Sequence, residues 1–303
     1  MSRIAYVNGR YQPQSQAGVL IDDRGYQFAD GVYEVCIVRD GRLIDEGRHL
    51  RRLARSLGEL KIRWPMEASA LAVVMREVIR RNRVRDGTAY IQVTRGVSPR
   101  NHAFPSDSVR PSLVVTARST DLGELDKSAE MGIAIITTPD NRWERVDIKS
   151  ISLLPNVLAK QKAIEAGATE AWFVDREGFV TEGSSSNAWI LTAAGVLVTR
   201  GIDHAILRGV TRDVVMDLLE RDGGQFEERR FNVSEALAAR EAFITSAGNL
   251  IMPVVRIDGQ PIGSGKPGEL SLKLRRLFFT QADESPQWWS PGLVAHGPGL
   301  SNE

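Results

Sequence analysis

Lys149 stands between apolar neighbours in the segment Val146-Asp147-Ile148-Lys149-Ser150. Desolvation lowers a lysine pKa, and a neutral amine near neutral pH is what a Schiff-base lysine requires. The same segment also reads as a solvated strand-end lysine paired with Asp147, and most lysines are surface residues. Downstream, Val180-Thr181-Glu182-Gly183-Ser184-Ser185-Ser186-Asn187 sets hydroxyls and backbone N–H groups beside a carboxylate. Such a turn can hold an anion such as phosphate; it also reads as a flexible polar turn. Leu207-Arg208-Gly209-Val210-Thr211-Arg212-Asp213 opens a helix. A helix N-terminus offers unsatisfied N–H groups and a positive dipole end, which suit phosphate, and Thr211 equally reads as a plain N-cap. In a long loop, Arg95-Gly96-Val97-Ser98-Pro99-Arg100-Asn101-His102 puts Arg100 two residues from His102. Arginine binds carboxylates through paired hydrogen bonds, and a histidine beside it can add another. A solvated loop is the alternative, although long structured loops are disproportionately functional.

The rest of the inventory narrows the chemistry. His49, His102, His204 and His296 are scattered and Cys36 is the only cysteine, so no metal pattern emerges. No glycine pattern matches a dinucleotide or Walker loop, and no G-x-S-x-G elbow is present. The net charge of +1 gives no bulk field to attract nucleic acid or an anionic membrane. One cysteine allows no intrachain disulfide and suits a reducing compartment. The opening residues carry no signal-like apolar stretch, and runs such as Ile133 to Ile136 are too short to span a bilayer. The expectation is a cytoplasmic protein whose 42% hydrophobic content supports a sizeable core.

Elements must position these segments. Ile4 to Val7 before Asn8-Gly9, and Tyr33 to Val38 before Asp40-Gly41 and Arg42 to Ile44, predict two hairpins. Leu50, Leu53, Leu57 and Leu60 recur at helical spacing, as do Leu71, Val74, Met75, Val78 and Ile79. Strands are expected at Ala89 to Thr94 and Ser112 to Thr116, with the loop 96–111 between them. The polar stretch Arg118 to Glu130 reads as an interdomain connection. Beyond it, strands are expected at Gly132 to Thr137, Glu170 to Val174, Asn187 to Leu191, Val196 to Thr199 and Ala242 to Thr245. Helices are expected at Asn156 to Ala166, Thr211 to Arg221 and Glu269 to Gln281. Hairpins without βαβ alternation predict an α+β fold in two lobes. The expected division is 1–120, a small N-terminal α/β domain; 121–130, the connection; 131–282, a larger β-rich domain; and 283–303, an irregular tail with Trp288 and Trp289.

Several segments occur together in one known family. Asp22-Asp23-Arg24-Gly25-Tyr26-Gln27-Phe28-Ala29-Asp30-Gly31-Val32-Tyr33-Glu34-Val35, Asp147-Ile148-Lys149-Ser150, Asn156-Val157-Leu158-Ala159-Lys160-Gln161, Thr181 to Asn187 and Gly209-Val210-Thr211-Arg212-Asp213 follow in this order. In order and spacing the chain resembles the class-IV, fold type IV, pyridoxal-phosphate aminotransferases, and most of all those of bacteria that act on D-amino acids. The resemblance runs from about residue 4 to residue 280. It implies that Lys149 carries the cofactor and moves the proton at the substrate α-carbon. It implies that Glu182 pairs with the pyridine nitrogen, so that the ring accepts electrons from a developing carbanion. It also implies that Arg52, Ser185, Val210 and Thr211 help bind the cofactor and its phosphate, and that Leu207 packs on the ring.

Tyr33, Arg100 and His102 then correspond to the groups that trap the substrate α-carboxylate. The loop carrying Arg100 and His102 is implied to reach the neighbouring site of a homodimer. A cation poised for that carboxylate favours amino acids over simple amines. D-alanine and 2-oxoglutarate or pyruvate are the implied substrates. Branched-chain L-amino acid or (R)-amine transamination and an aminodeoxychorismate lyase share the Lys149 and Glu182 pattern, and a non-enzymatic binding protein needs both residues idle. Three positions depart from the family: Ala247 and Gly248 stand where hydroxyl residues are usual, and Ala29 replaces a more usual glycine.

Overall fold

The computed structural model describes residues 3–284. The first half begins with the hairpin β1 (Ile4–Val7) and β2 (Arg10–Pro13), turned at Asn8 and Gly9, both with positive φ. There follow α1 (Arg24–Phe28), β3 (Gly31–Arg39), β4 (Arg42–Leu43), α2 (Glu46–Glu59), α3 (Ala68–Asn82), β5 (Gly87–Thr94) and β6 (Ser112–Ser119). The strands form a six-stranded sheet in the order β2-β1-β6-β5-β3-β4, paired antiparallel throughout. Alternation decides its two faces. Cys36, Val38, Ala89, Ile91, Val93, Leu113, Val115 and Ala117 share a buried core with Leu50, Leu53 and Leu57 of α2 and Leu71, Met75 and Val78 of α3. Each fully buried leucine there contributes about 1.5–3 kcal/mol. The opposite face carries Tyr33, Val35, Tyr90, Thr116 and Arg118, which β-pairing sets in adjacent rows.

The second half comprises α4 (Leu122–Met131), β7 (Ile133–Pro139), α5 (Leu154–Glu165), β8 (Glu170–Val174), β9 (Val180–Gly183), β10 (Asn187–Leu191) and β11 (Leu197–Thr199). It continues with α6 (Val210–Arg221), β12 (Phe226–Glu228), α7 (Val233–Leu237), β13 (Glu241–Ser246), β14 (Leu250–Ile257), β15 (Gln260–Pro261) and α8 (Glu269–Glu284). Its nine-stranded sheet runs β12-β11-β10-β13-β14-β7-β8-β9, with β15 on β14. The expectation of no βαβ alternation is corrected here: β7 and β8 pair in parallel and α5 joins them. A crossover helix is what a parallel pair requires.

The polar stretch expected as a connection holds the end of β6 and all of α4 but its last residue, Met131. Asp121 caps α4 by accepting from the N–H groups of Gly123 and Glu124. Leu125 and Ala129 pack it onto the second sheet's core. Residues 285–303, including Trp288 and Trp289, lie outside the described residues.

A third core joins the halves. Ile37 and Ile44 from the first pack with Trp189, Val214, Val215, Leu218, Phe243, Leu274 and Phe278 from the second. α2 supports the same junction with its other face. Arg48 pairs with Asp217, Arg52 donates to the Arg208 carbonyl, Arg55 pairs with Asp147, and the Ser56 hydroxyl accepts from the Lys149 N–H. Positions 48, 52, 55 and 56 share one side of a helix, so one polar stripe of α2 fixes two segments that the sequence singles out, 146–150 and 207–213, and the body of α6. None of the described helices is long and apolar enough to cross a membrane.

Candidate active site

Lys149 sits in the segment between β7 and α5. Its carbonyl accepts from the Tyr33 N–H at 3.0 Å, and Ser150 makes a bridge to Val32. Close backbone approach makes this junction possible: a Cβ on Gly31 would meet the Val93 carbonyl at 2.7 Å and the Ile151 side chain at 3.0 Å. Asp147 does not pair with the lysine; its carboxylate accepts from Arg55 and Arg145. Burial pushes the Asp147 carboxyl up, but those two guanidinium groups win and hold it below the usual carboxylate range. Lys149 Nζ instead lies 4.3 Å from the centroid of the Tyr33 ring. The solvated, Asp147-paired reading of this lysine is therefore not what the chain adopts.

Glu182 belongs to β9 and faces the same cavity. One oxygen accepts from Arg142 Nη1 at 2.5 Å; the other accepts from Asn187 Nδ2 and the Leu207 N–H, each at 3.0 Å. Burial pushes the Glu182 carboxyl up, against the pull of Arg142 and the Leu207 N–H. Arg142 also forks onto Asp140, and the two carboxylates raise its pKa despite its burial. Neither Arg142 nor Asp140 is evident from the sequence patterns above. The available signal is Asp140-Asn141-Arg142 following directly on the apolar strand β7, seven residues before Lys149.

Leu207, Val210 and Thr211 line the cavity where α6 begins. Gly209 is the N-cap, without a side-chain cap, so Thr211 is not the cap residue. A Cβ on Gly209 would meet Asn187 Oδ1 at 2.0 Å. That glycine is thus required by the same asparagine that orients Glu182 and accepts nothing bulkier. Arg52 reaches the loop before α6 through its bond to the Arg208 carbonyl at 2.9 Å. The rest of its fork grips Glu34, which also meets His49. Burial pushes the Glu34 carboxyl up, yet Arg52 and His49 hold it far below the usual range.

The Ser184, Ser185 and Ser186 hydroxyls all donate to the buried Glu170. The Ser185 side chain therefore has its proton committed, and what the turn can still offer an anion is backbone N–H. Ala247 and Gly248 line the cavity beside Ser246 and Thr245. At these two positions too, only backbone groups face an anion.

The cavity holding these residues has a volume of about 280 Å³. It brings together Tyr33, Arg52, Lys149, Glu182, Ser185, Leu207, Val210 and Thr211, and adds Arg118, Arg142 and Trp143. It does not include Arg100 and His102 of the same chain. Those side chains are exposed on the loop between β5 and β6, where the Arg100 guanidinium lies 4.6 Å from the Phe28 ring centroid and the His102 ring 5.3 Å from it. The loop itself is held in place. Arg24, buried and paired with Asp30, donates to the carbonyls of Asn101 and Ala103 at 2.5 and 3.3 Å. Ala29 ends α1 in the left-handed region at φ 55°, the conformation for which glycine is favoured.

The family model described as amino-transferase class IV matches residues 31–257. The D-alanine aminotransferase of Bacillus licheniformis is 43% identical over 88% of this chain and 93% of its own. That of Staphylococcus haemolyticus is 39% identical over 90% of this chain and 95% of its own. Among solved structures, the branched-chain amino acid aminotransferase of Escherichia coli superposes with a TM-score of 0.86 at 21% identity, covering 96% of this chain and 98% of that one. At that identity the likeness speaks for the fold. With the lysine, the carboxylate and the helix N-terminus gathered in one cavity, and a family match over most of its length, the chain belongs to the class IV aminotransferases.

Proposed function

We propose that this protein is a pyridoxal-phosphate-dependent D-amino acid aminotransferase. It moves the amino group of a donor such as D-alanine to a 2-oxo acid such as 2-oxoglutarate or pyruvate in a ping-pong cycle. The observation that carries the reading is the placement of Lys149, Glu182 and the start of α6 in one cavity between the two sheets. Those groups fit the cofactor's three chemical features: an amine for its aldehyde, a buried carboxylate for its ring nitrogen and backbone N–H groups for its phosphate. When bound, the cofactor supplies an electron sink for the carbanion at the substrate α-carbon.

The chain's own residues do the remaining work. Lys149 carries the cofactor, then takes the proton from the substrate α-carbon as a base within reach of it. Glu182, oriented by Arg142, Asn187 and the Leu207 N–H, holds a proton on the ring nitrogen. Arg52 and the N–H groups of Val210 and Thr211 hold the phosphate, with Ser185 contributing its backbone and Leu207 its apolar face. Tyr33 meets the substrate carboxylate from the sheet side.

The D-amino acid assignment is supported by the named activity of the relatives at 43% and 39% identity. It is also supported by Arg100 and His102, which lie outside their own chain's cavity. In this reading the protein is a homodimer, and the loop fixed by Arg24 delivers those two side chains to the neighbouring site. The location is cytoplasmic, in keeping with a single, buried, unpaired cysteine. Residues 1–120 and 131–282 form its two domains.

A panel of donors tests the substrate class. D-alanine is expected to yield its oxo acid readily, with L-leucine and (R)-1-phenylethylamine at least ~100-fold slower, since each leaves charged groups of the carboxylate trap mismatched. L-leucine reacting while D-alanine stays inert contradicts the assignment and favours a branched-chain activity on the same fold.

A further inference from the structure

We infer that Arg118 receives the distal carboxylate of a dicarboxylic substrate, and so sets a preference for 2-oxoglutarate over pyruvate as the amino acceptor. The inference rests on the aminotransferase reading and concerns which acceptor that site takes. It begins with the cationic side chains of the cavity: Arg52, Arg118, Arg142 and Lys149. Arg52 is committed to Glu34 and the Arg208 carbonyl. Arg142 is committed to Asp140 and Glu182. Lys149 is the cofactor's attachment point. Arg118 forms no ion pair among the described residues; its Nε donates to the Thr88 hydroxyl at 3.4 Å. That bond steers the guanidinium and leaves its terminal nitrogens without a carboxylate. In a chain whose other cavity guanidiniums are each paired with an acid, this one is positioned without a counter-charge.

The sheet register says which part of a substrate it meets. Arg118 shares a row with Thr88 and Ile37, whereas Tyr33 shares a row with Gln92 and Val114. All project from one face, and the two rows lie four residues, about 13 Å, apart along the strands. Val35, Tyr90 and Thr116 form the row between them. Tyr90 offers Arg118 no anion, because burial and Tyr33 push its phenol up to about 12. Arg118 is exposed, unlike Arg142, which places it at the mouth of the cavity rather than beside the lysine. With the α-carboxylate near Tyr33, the second carboxylate of 2-oxoglutarate, three carbons away, covers only part of that separation, and the long arginine side chain has to lean along the sheet to close the rest. A guanidinium that reaches it donates to it with the fork geometry that arginine provides.

The acceptor half-reaction separates this from the D-amino acid reading, because 2-oxo acids carry no chirality at the reacting carbon. The enzyme in its amino form is mixed with 2-oxoglutarate or with pyruvate, for the wild type, Arg118→Met and Arg118→Lys. Arg118→Met is expected to lower kcat/KM for 2-oxoglutarate by ~30-fold, the scale of a lost charge-assisted pair. For pyruvate the change is expected to stay within about 3-fold. Arg118→Lys is expected to recover part of the loss. In parallel, calorimetric titration of glutarate, a dicarboxylate that cannot be aminated, is expected to show weaker binding to Arg118→Met by a similar factor. An equal fall for both acceptors, or unchanged values for 2-oxoglutarate and glutarate, overturns the inference. If the wild type takes no amino group from either enantiomer of alanine, it is the functional reading that fails, and the glutarate titration still decides on Arg118.

Discussion

Lys149→Ala is expected to lower transamination by more than about 1,000-fold and to remove the visible absorbance that the protein gains on binding pyridoxal phosphate. Two losses combine. The cofactor has no amine to join, and the substrate α-proton has no base. The other lysines are at positions 61, 127, 160, 162, 266 and 273, and none lines the cavity. The rest of the site should survive. The backbone groups of residue 149 make the bonds to Tyr33 and Ser56, and alanine keeps both. The variant is therefore expected to unfold at a urea midpoint close to that of the wild type. Stopped-assay rates and absorbance spectra of the loaded proteins check this, and full activity in the variant contradicts the role given to Lys149.

Arg142→Met is expected to lower the stability of the protein by about 3–5 kcal/mol, the usual penalty for stripping the partner from a buried charge. The side chains concerned are shielded: Arg142 is 3% exposed, Asp140 14% and Glu182 7%. Without the guanidinium, two carboxylates share a site with no cation to balance them. Activity should fall as well, with a characteristic pH dependence. Burial already pushes the Glu182 carboxyl up, and Arg142 opposes that push. Removing Arg142 raises the pKa further, so Glu182 ionises only at higher pH. The acidic limb of the rate profile is then expected to move toward higher pH, with activity regained as pH rises. Arg142→Lys keeps the charge but not the fork onto two acids, and should fall between. Urea denaturation and pH–rate profiles check both parts; a wild-type stability and an unmoved acidic limb contradict the argument.

The sequence made some parts of this molecule legible because their signals are local. Asn8-Gly9 turns the first hairpin, and the leucines of α2 fall at helical spacing onto one buried face. Lys149, Glu182 and the start of α6 were each ambiguous locally, and their order along the chain resolved them. What was hidden is what depends on distant partners. α4 looked like a polar connection because only Leu125 and Ala129 turn inward among its charged residues. β14 was missed because Pro253 interrupts an apolar run that otherwise suits a central strand. In the fold, Pro253 pairs with Phe243 of β13, and the pairing to β7 begins only at Val254, with a register shift before Arg256. The proline thus sits outside the stretch bonded on both sides. The parallel pairing of β7 with β8 is likewise a property of the whole sheet.

The site shows the same division. Arg142 could not be distinguished from the chain's many other arginines until its fork onto Asp140 and Glu182 was visible. Ser185 was expected to offer its hydroxyl, and the fold gives that proton to Glu170, a residue 15 positions away. Arg100 and His102 lie apart from the cavity of their own chain. The single subunit therefore does not bring them to the carboxylate-binding role that the sequence implies.

The most direct test of the central claim is a single turnover with each enantiomer of alanine. Protein loaded with pyridoxal phosphate is mixed with D-alanine or with L-alanine, without an acceptor, and released pyruvate is counted against Lys149-bound cofactor. The account predicts stoichiometric pyruvate from D-alanine and none from L-alanine on the same timescale. Stoichiometric pyruvate from L-alanine, with D-alanine silent, would contradict it.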